Sequence, residues 1–114
     1  MKKCVPCEGG IKPLNKKEIG EYLNRVANWA VEEKVTDGHK VDTIKKRFEF
    51  KNFRQAMTFL RKVEEIAEEE GHHPDFCVHY NRIDFRIWTH AIGGLHENDF
   101  ILASKIDSIQ SNID

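Results

Sequence analysis

The chain has 114 residues, 39% apolar and 32% charged, and its acidic and basic side chains nearly cancel to a net charge of −1. That length fits one domain with a real core. The charge balance leaves no basic surplus for a phosphate backbone, so direct nucleic-acid binding is not expected. Apolar runs are too short to span a membrane. The Met-Lys-Lys start leads into a segment broken by Pro and Gly, not into the apolar core of a signal peptide. The expectation is a cytoplasmic, soluble protein with residues 1–114 as a single domain.

Residues 1–14 read as an N-terminal arm. The cysteines are Cys4, Cys7 and Cys77, an odd count that argues against a disulfide framework. Cys4-x-x-Cys7 could be half of a zinc site, but no second such pair completes it. Asn15 is a good N-cap with Glu18 at the third helical position, a capping-box spacing. Ile19, Tyr22, Leu23 and Val26 follow at helical steps, predicting a helix that ends near Ala27–Asn28.

Trp29 to Val35 reads as a strand, and Asp37-Gly38 signals a hairpin turn. A second strand ends in Arg47-Phe-Glu-Phe50, with Phe48 and Phe50 on one face. Asn52 caps the clearest helix, with Gln55 as capping partner. Phe53, Ala56, Met57, Leu60, Val63 and Ala67 form its apolar stripe, widened by Phe59 and Ile66. Glu68, Glu69 and Glu70 crowd its last turn, where the helix dipole favours cations. Such broken local rules are expected near functional sites.

Phe76 to Tyr80 and Ile83 to Ile87 alternate as two strands joined at Asn81-Arg82. That turn would set Tyr80 opposite Ile83, Val78 opposite Phe85 and Phe76 opposite Ile87. The period of two places Trp88 and His90 on the face away from these apolar residues. After Gly93-Gly94 a last helix starts near His96, a weak N-cap choice, with Asp99 at its third position. Leu102, Ile106, Ile109 and Ile113 form its stripe. The whole predicts an α+β, two-layer fold in the order α-β-β-α-β-β-α, with a four-stranded antiparallel sheet and three helices on one face.

Three of the six histidines take informative positions in one stretch. Glu68 is followed after three residues by His72-His73-Pro74, then Tyr80, His90 and Asp99, ordered elements within 32 residues. Pro74 restricts its neighbour to extended backbone, so the helix must stop near Gly71 and leave both imidazoles at a corner. One hairpin between His73 and His90 could bring the third imidazole back. Histidine suits proton transfer because its unperturbed pKa, about 6.5, is near neutrality. A zinc site of His72, His73 and His90 is disfavoured, since adjacent histidines rarely converge on one ion.

This spacing resembles the pterin-4a-carbinolamine dehydratase family, in which an acidic residue, His-His-Pro, an aromatic, His and Asp follow in that order. The resemblance extends to Cys4-Val-Pro-Cys-Glu-Gly-Gly10, Trp29 and the Phe48–Leu60 stretch. It implies dehydration of a 4a-hydroxytetrahydropterin by histidine acid–base catalysis, within tetrahydropterin recycling. It assigns catalysis to His72, His73 and His90, with His72 and His90 moving protons and His73 orienting the substrate. Substrate contacts fall to Glu68, Trp29, Thr89 and Asp99. Trp88 departs from the family, standing where small hydroxyl residues are frequent.

The resemblance further implies no metal and no cofactor, the pterin being the substrate. Its implied partners are that small molecule and further copies of the chain, as a homodimer or homotetramer. The last helix and Trp88 are the surfaces expected to be available for self-association. Functional coupling to a pterin-dependent aromatic amino acid hydroxylase is implied, and neither nucleic acid nor membrane. A non-catalytic dimerisation or binding module of the same fold is the alternative.

Overall fold

The computed structural model describes residues 11–113, with side chains through 110. The expectations placed on Cys4, Cys7 and Ile113 lie outside what is described. The elements run α1 (Lys16–Leu23), β1 (Ala30–Thr36), β2 (His39–Glu49), α2 (Phe53–Glu70), β3 (Asp75–His79), β4 (Arg82–Ile87) and α3 (Glu97–Ile113), with a short 3-10 turn at His90–Ile92. This is the α-β-β-α-β-β-α order expected. The strands form one four-stranded sheet in the order β1-β2-β4-β3, and every pairing is antiparallel.

The pleat sorts the side chains. Ile44, Phe48, Ile83, Phe85 and Ile87 are all buried on one face, and they share a single core with Ile19 of α1, Phe59 and Val63 of α2, and Leu102 and Ile106 of α3. Phe48, Phe59 and Phe85 interlock with ring centroids 5.0 to 6.1 Å apart. Fully burying side chains of this size stabilises by about 1.5–3 kcal/mol each. The opposite face is a lattice of ion pairs. Arg47 meets Asp84 at 2.7 Å, and Glu32 accepts from both Lys45 and Arg86.

Lys46 lies between Ile44 and Phe48 in the inward register, and its side chain is only 10% exposed. Its ammonium meets Asp107 of α3 at 2.7 Å and lies over the rings of Trp29 and Phe48. A buried cation needs such a partner, because desolvation otherwise disfavours its charged form.

Three local expectations change. First, α1 stops at Leu23 rather than near Ala27–Asn28. The chain turns through Arg25 and Val26, whose amides donate to Tyr22 and Leu23 carbonyls, and Asn28 takes a left-handed φ of 64°. Second, the β3–β4 hairpin turns at Tyr80-Asn81, so Val78 faces Ile83 and Phe76 faces Phe85. The register is two residues from the expected one, which leaves every side chain on its expected face. Asn81 fixes it: its carbonyl accepts from the Phe50 amide, and its side-chain amide donates to the Phe50 carbonyl. Third, the surfaces expected to drive self-association belong to the protomer's own core. Leu102 and Ile106 are fully buried, and Ile109 and Trp88 are nearly so.

Candidate active site

The α2 stop is built as the sequence requires. Gly71 has φ 64°, left-handed backbone that a glycine adopts without the steric cost of a Cβ. The amide of His72 donates to the Ala67 carbonyl, closing the helix end. The chain then leaves through Pro74 into β3, and His72 and His73 diverge from the corner.

His72 turns inward. Its Nε2 lies 2.6 Å from Oδ1 of Asp99, a carboxylate with no exposure at all. Thr89 donates its hydroxyl to both Asp99 oxygens at 3.0 and 3.1 Å, and the His96 amide donates to Oδ2 at 2.8 Å. His96 caps α3, because its Nδ1 accepts from the Asn98 amide at 3.1 Å and its carbonyl accepts from the Asp99 amide. Asp99 therefore reaches back to its own cap like the acid of a capping box, while also holding an imidazole. With Asp99 accepting, the His72 proton sits on Nε2, which leaves Nδ1 as the nitrogen that can exchange a proton.

His73 turns outward. Its Nε2 lies 2.5 Å from Oε2 of Glu68, but both side chains are largely exposed, at 62% and 72%. Beside them runs an open groove of about 600 Å3 lined by Met57, Leu60, Val63, Glu68, His73 and Phe76.

His90 sits in a pinched loop. Thr89 and Gly94 exchange backbone hydrogen bonds at 2.9 and 3.4 Å, and the intervening turn lifts His90 to the surface. A Cβ on Gly94 would come within 2.7 Å of the Pro13 side chain, so this closure requires glycine. The imidazole stacks on Trp88, with ring centroids 4.1 Å apart and planes inclined by 28°. Asp99 is the hub linking the corner to this loop, holding His72 directly and Thr89, the residue before His90.

Thr89 and Asp99 thus reach His72 as buried supports. Trp29 does not join this cluster within the chain. It is buried against Phe48, and its indole N–H donates to Asp107 at 3.1 Å, two helical turns beyond Asp99. Tyr80 is exposed at the hairpin turn with φ 52°. Among the described residues no group of three or more His, Cys, Asp or Glu side chains is placed to hold a metal ion.

Sequence reasoning missed one contact here. Glu70 was read only as one of three acids crowding the last turn of α2, yet its side chain is 2% exposed and meets Lys105 of α3 at 2.9 Å. The signal was Lys105 itself, three residues beyond Leu102 on the buried side of α3.

Fold and corner together define a small α+β protein in which an imidazole is fixed from behind by a buried carboxylate. The chain belongs to the family described as pterin 4 alpha carbinolamine dehydratase, whose sequence model matches residues 12–109. It is 44% identical over 108 residues to a protein of Halorhodospira halophila named "Putative pterin-4-alpha-carbinolamine dehydratase", covering 95% of this chain and 94% of that one. A Rickettsia bellii protein of the same name is 46% identical over 111 residues, covering 96% and 92%. Among solved structures, a Brucella melitensis transcriptional coactivator/pterin dehydratase superposes with a TM-score of 0.73 at 32% identity, over 86% of this chain and 98% of that one. A pterin dehydratase-like protein described as a RuBisCO assembly factor in the alpha-carboxysome shares the fold, with a TM-score of 0.55 at 20% identity over 70% of this chain and 88% of that one.

Proposed function

We propose that this protein dehydrates a 4a-hydroxytetrahydropterin to the quinonoid dihydropterin by histidine acid–base catalysis. The observation that carries the reading is the Nε2 of His72 held on buried Asp99, in a chain of this family. The reaction breaks the C4a–O bond and removes the N5 proton. The N5 electron pair forms the C4a=N5 double bond, and the hydroxyl leaves as water once protonated. An imidazole whose back nitrogen is fixed presents the other at a defined place, so it can give or take one of these protons. His90, whose ring has no hydrogen-bond partner among the described residues, is the second proton-transfer group. His73 and Glu68, exposed beside the groove, orient the pterin. The reaction needs neither metal nor organic cofactor, because both protons can pass through imidazoles.

The product of a pterin-dependent hydroxylase is such a carbinolamine, so the role we propose is tetrahydropterin recycling, with the cytoplasm as its proposed location. No helix among the described residues is long and apolar enough to cross a membrane. Self-association would use exposed apolar side chains such as Val35, Phe53 and Phe76, rather than the α3 stripe. A sedimentation mass above that of one chain is expected, and a monomer at micromolar concentration would count against it.

The test is the rate of carbinolamine dehydration. His72→Ala and His90→Ala should each slow it by on the order of 10- to 1000-fold, and the double variant should be slowest. His79→Ala, on the far side of the sheet beside Asp84, should match the wild type. A wild type no faster than the uncatalysed reaction would overturn the proposal.

A further inference from the structure

The proton-transfer groups proposed above are held by different means. His72 is fixed in its ring plane by a carboxylate. Among the described residues His90 has no such partner, yet its ring lies on the indole of Trp88, nearly parallel and 4.1 Å away. Trp88 is itself immobile, being 4% exposed in the core cluster, with the Lys34 ammonium 4.8 Å from its ring centroid. The Lys34 ammonium lies 3.9 Å from the Asp75 carboxylate, both side chains being exposed. The loop carrying His90 is short and closed by the Thr89–Gly94 bridge, so its backbone has little freedom. What remains free is rotation of the exposed imidazole.

We infer that Trp88 is a positioning residue: its indole fixes the plane of the His90 ring while leaving both ring nitrogens unoccupied. A carboxylate would orient the ring by engaging one nitrogen, as Asp99 does at His72. A stacked aromatic face orients it without engaging either. Offset-stacked rings at such separations attract specifically, beyond the area they bury. The arrangement suits a group that must approach the substrate with whichever nitrogen faces it. Trp88 acts through His90 and does not itself touch the reacting atoms.

The inference rests on the proposed catalytic role of His90 for its effect on rate, but the stack can be read without any activity. The experiment uses the full chain with Trp88→Leu, which keeps apolar bulk, and Trp88→Phe, which keeps an aromatic face. Proton NMR of the His90 ring is the first readout. In the wild type the indole ring current should hold these resonances upfield. Trp88→Leu should release them, and Trp88→Phe should retain part of the shift. The second readout is dehydration. Trp88→Leu should lower kcat by about 2- to 10-fold, the range a stacking pair can supply, with KM little changed and with recovery in Trp88→Phe. In a His90→Ala background, Trp88→Leu should have no further effect.

His90 resonances that do not respond to Trp88→Leu would overturn the inference. So would an equal loss of rate with and without His90, because that is the mark of a merely structural tryptophan. A wild type without dehydratase activity would sink the proposed function, and the resonances would still decide whether Trp88 fixes the ring. If Trp88→Leu fails to fold, Trp88→Phe carries the test, with a smaller shift and a smaller rate loss that again vanishes without His90.

Discussion

His72 and His73 are chain neighbours, and each has its Nε2 on a carboxylate, at 2.6 and 2.5 Å. They differ in exposure. The His72–Asp99 pair is 16% and 0% exposed, whereas the His73–Glu68 pair is 62% and 72% exposed. Water and counterions compete for the outer pair, and such exposed pairs are typically worth about 0–1 kcal/mol. The inner pair has no competitor, and its carboxylate also holds Thr89 and the start of α3. Equal distances therefore describe different devices. The inner contact is part of the fold and fixes an atom in space, while the outer one can yield to an incoming ligand.

Removing each carboxylate should separate the two sharply. Asp99→Ala leaves His72 Nε2, the Thr89 hydroxyl and the His96 amide without their acceptor in a site closed to water. We expect a loss of about 3 kcal/mol and a Tm lower by on the order of 10 °C or more, read by thermal unfolding. A change of a degree or two would mean that Asp99 is not the hub described. Glu68→Gln should alter stability by less than about 1 kcal/mol. Its expected signature is a raised KM for the pterin, with kcat changing less. A large fall in Tm on Glu68→Gln would erase the contrast.

The smallest effect should come from the outer face of the sheet. The hydrogen bond from Arg47 holds the Asp84 carboxyl below its ordinary value, against an opposing effect of partial burial. Lys45 and then Arg86 do the same for Glu32. A carboxylate with a folded pKa below its unfolded one stabilises the fold above the unfolded value. That contribution is lost as pH falls through the folded one. Stability should therefore decline below about pH 4, and Arg47→Ala should flatten part of that decline. Urea midpoints measured across this range would show it, and identical pH profiles for the two proteins would contradict it.

Much of this was legible in the sequence because periodicity reports burial. Most of the α2 stripe and the Phe48–Phe50 face follow from spacing alone, but Phe53, counted in that stripe, is exposed, and Trp88, expected on the outer face, is buried in the core. The corner at Gly71–Pro74 was legible because glycine enters left-handed backbone without steric cost and proline restricts its neighbour, wherever they occur. Contacts between distant elements were not. The turn at Tyr80-Asn81 depends on Asn81 bonding to Phe50, 31 residues away. Burial of Glu70 and Lys46 depends on Lys105 and Asp107, two residues apart on α3, each meeting a different element. His96 looked a poor cap because only the folded chain shows its ring nitrogen accepting from Asn98. Trp29 was placed at the site by resemblance, while within the chain its N–H is engaged by Asp107.

The central claim is that His72 transfers a proton because buried Asp99 holds it, and a double-mutant cycle on kcat tests that directly. His72→Ala, Asp99→Asn and the double variant are compared with the wild type in carbinolamine dehydration, below the unfolding temperature of the weakest. The account predicts that each single variant slows kcat by on the order of 10- to 1000-fold. It also predicts that the double variant is no slower than His72→Ala alone, because a carboxylate with no imidazole to hold has nothing left to contribute. Losses that multiply in the double variant, or an Asp99→Asn protein with the wild-type rate, would contradict it.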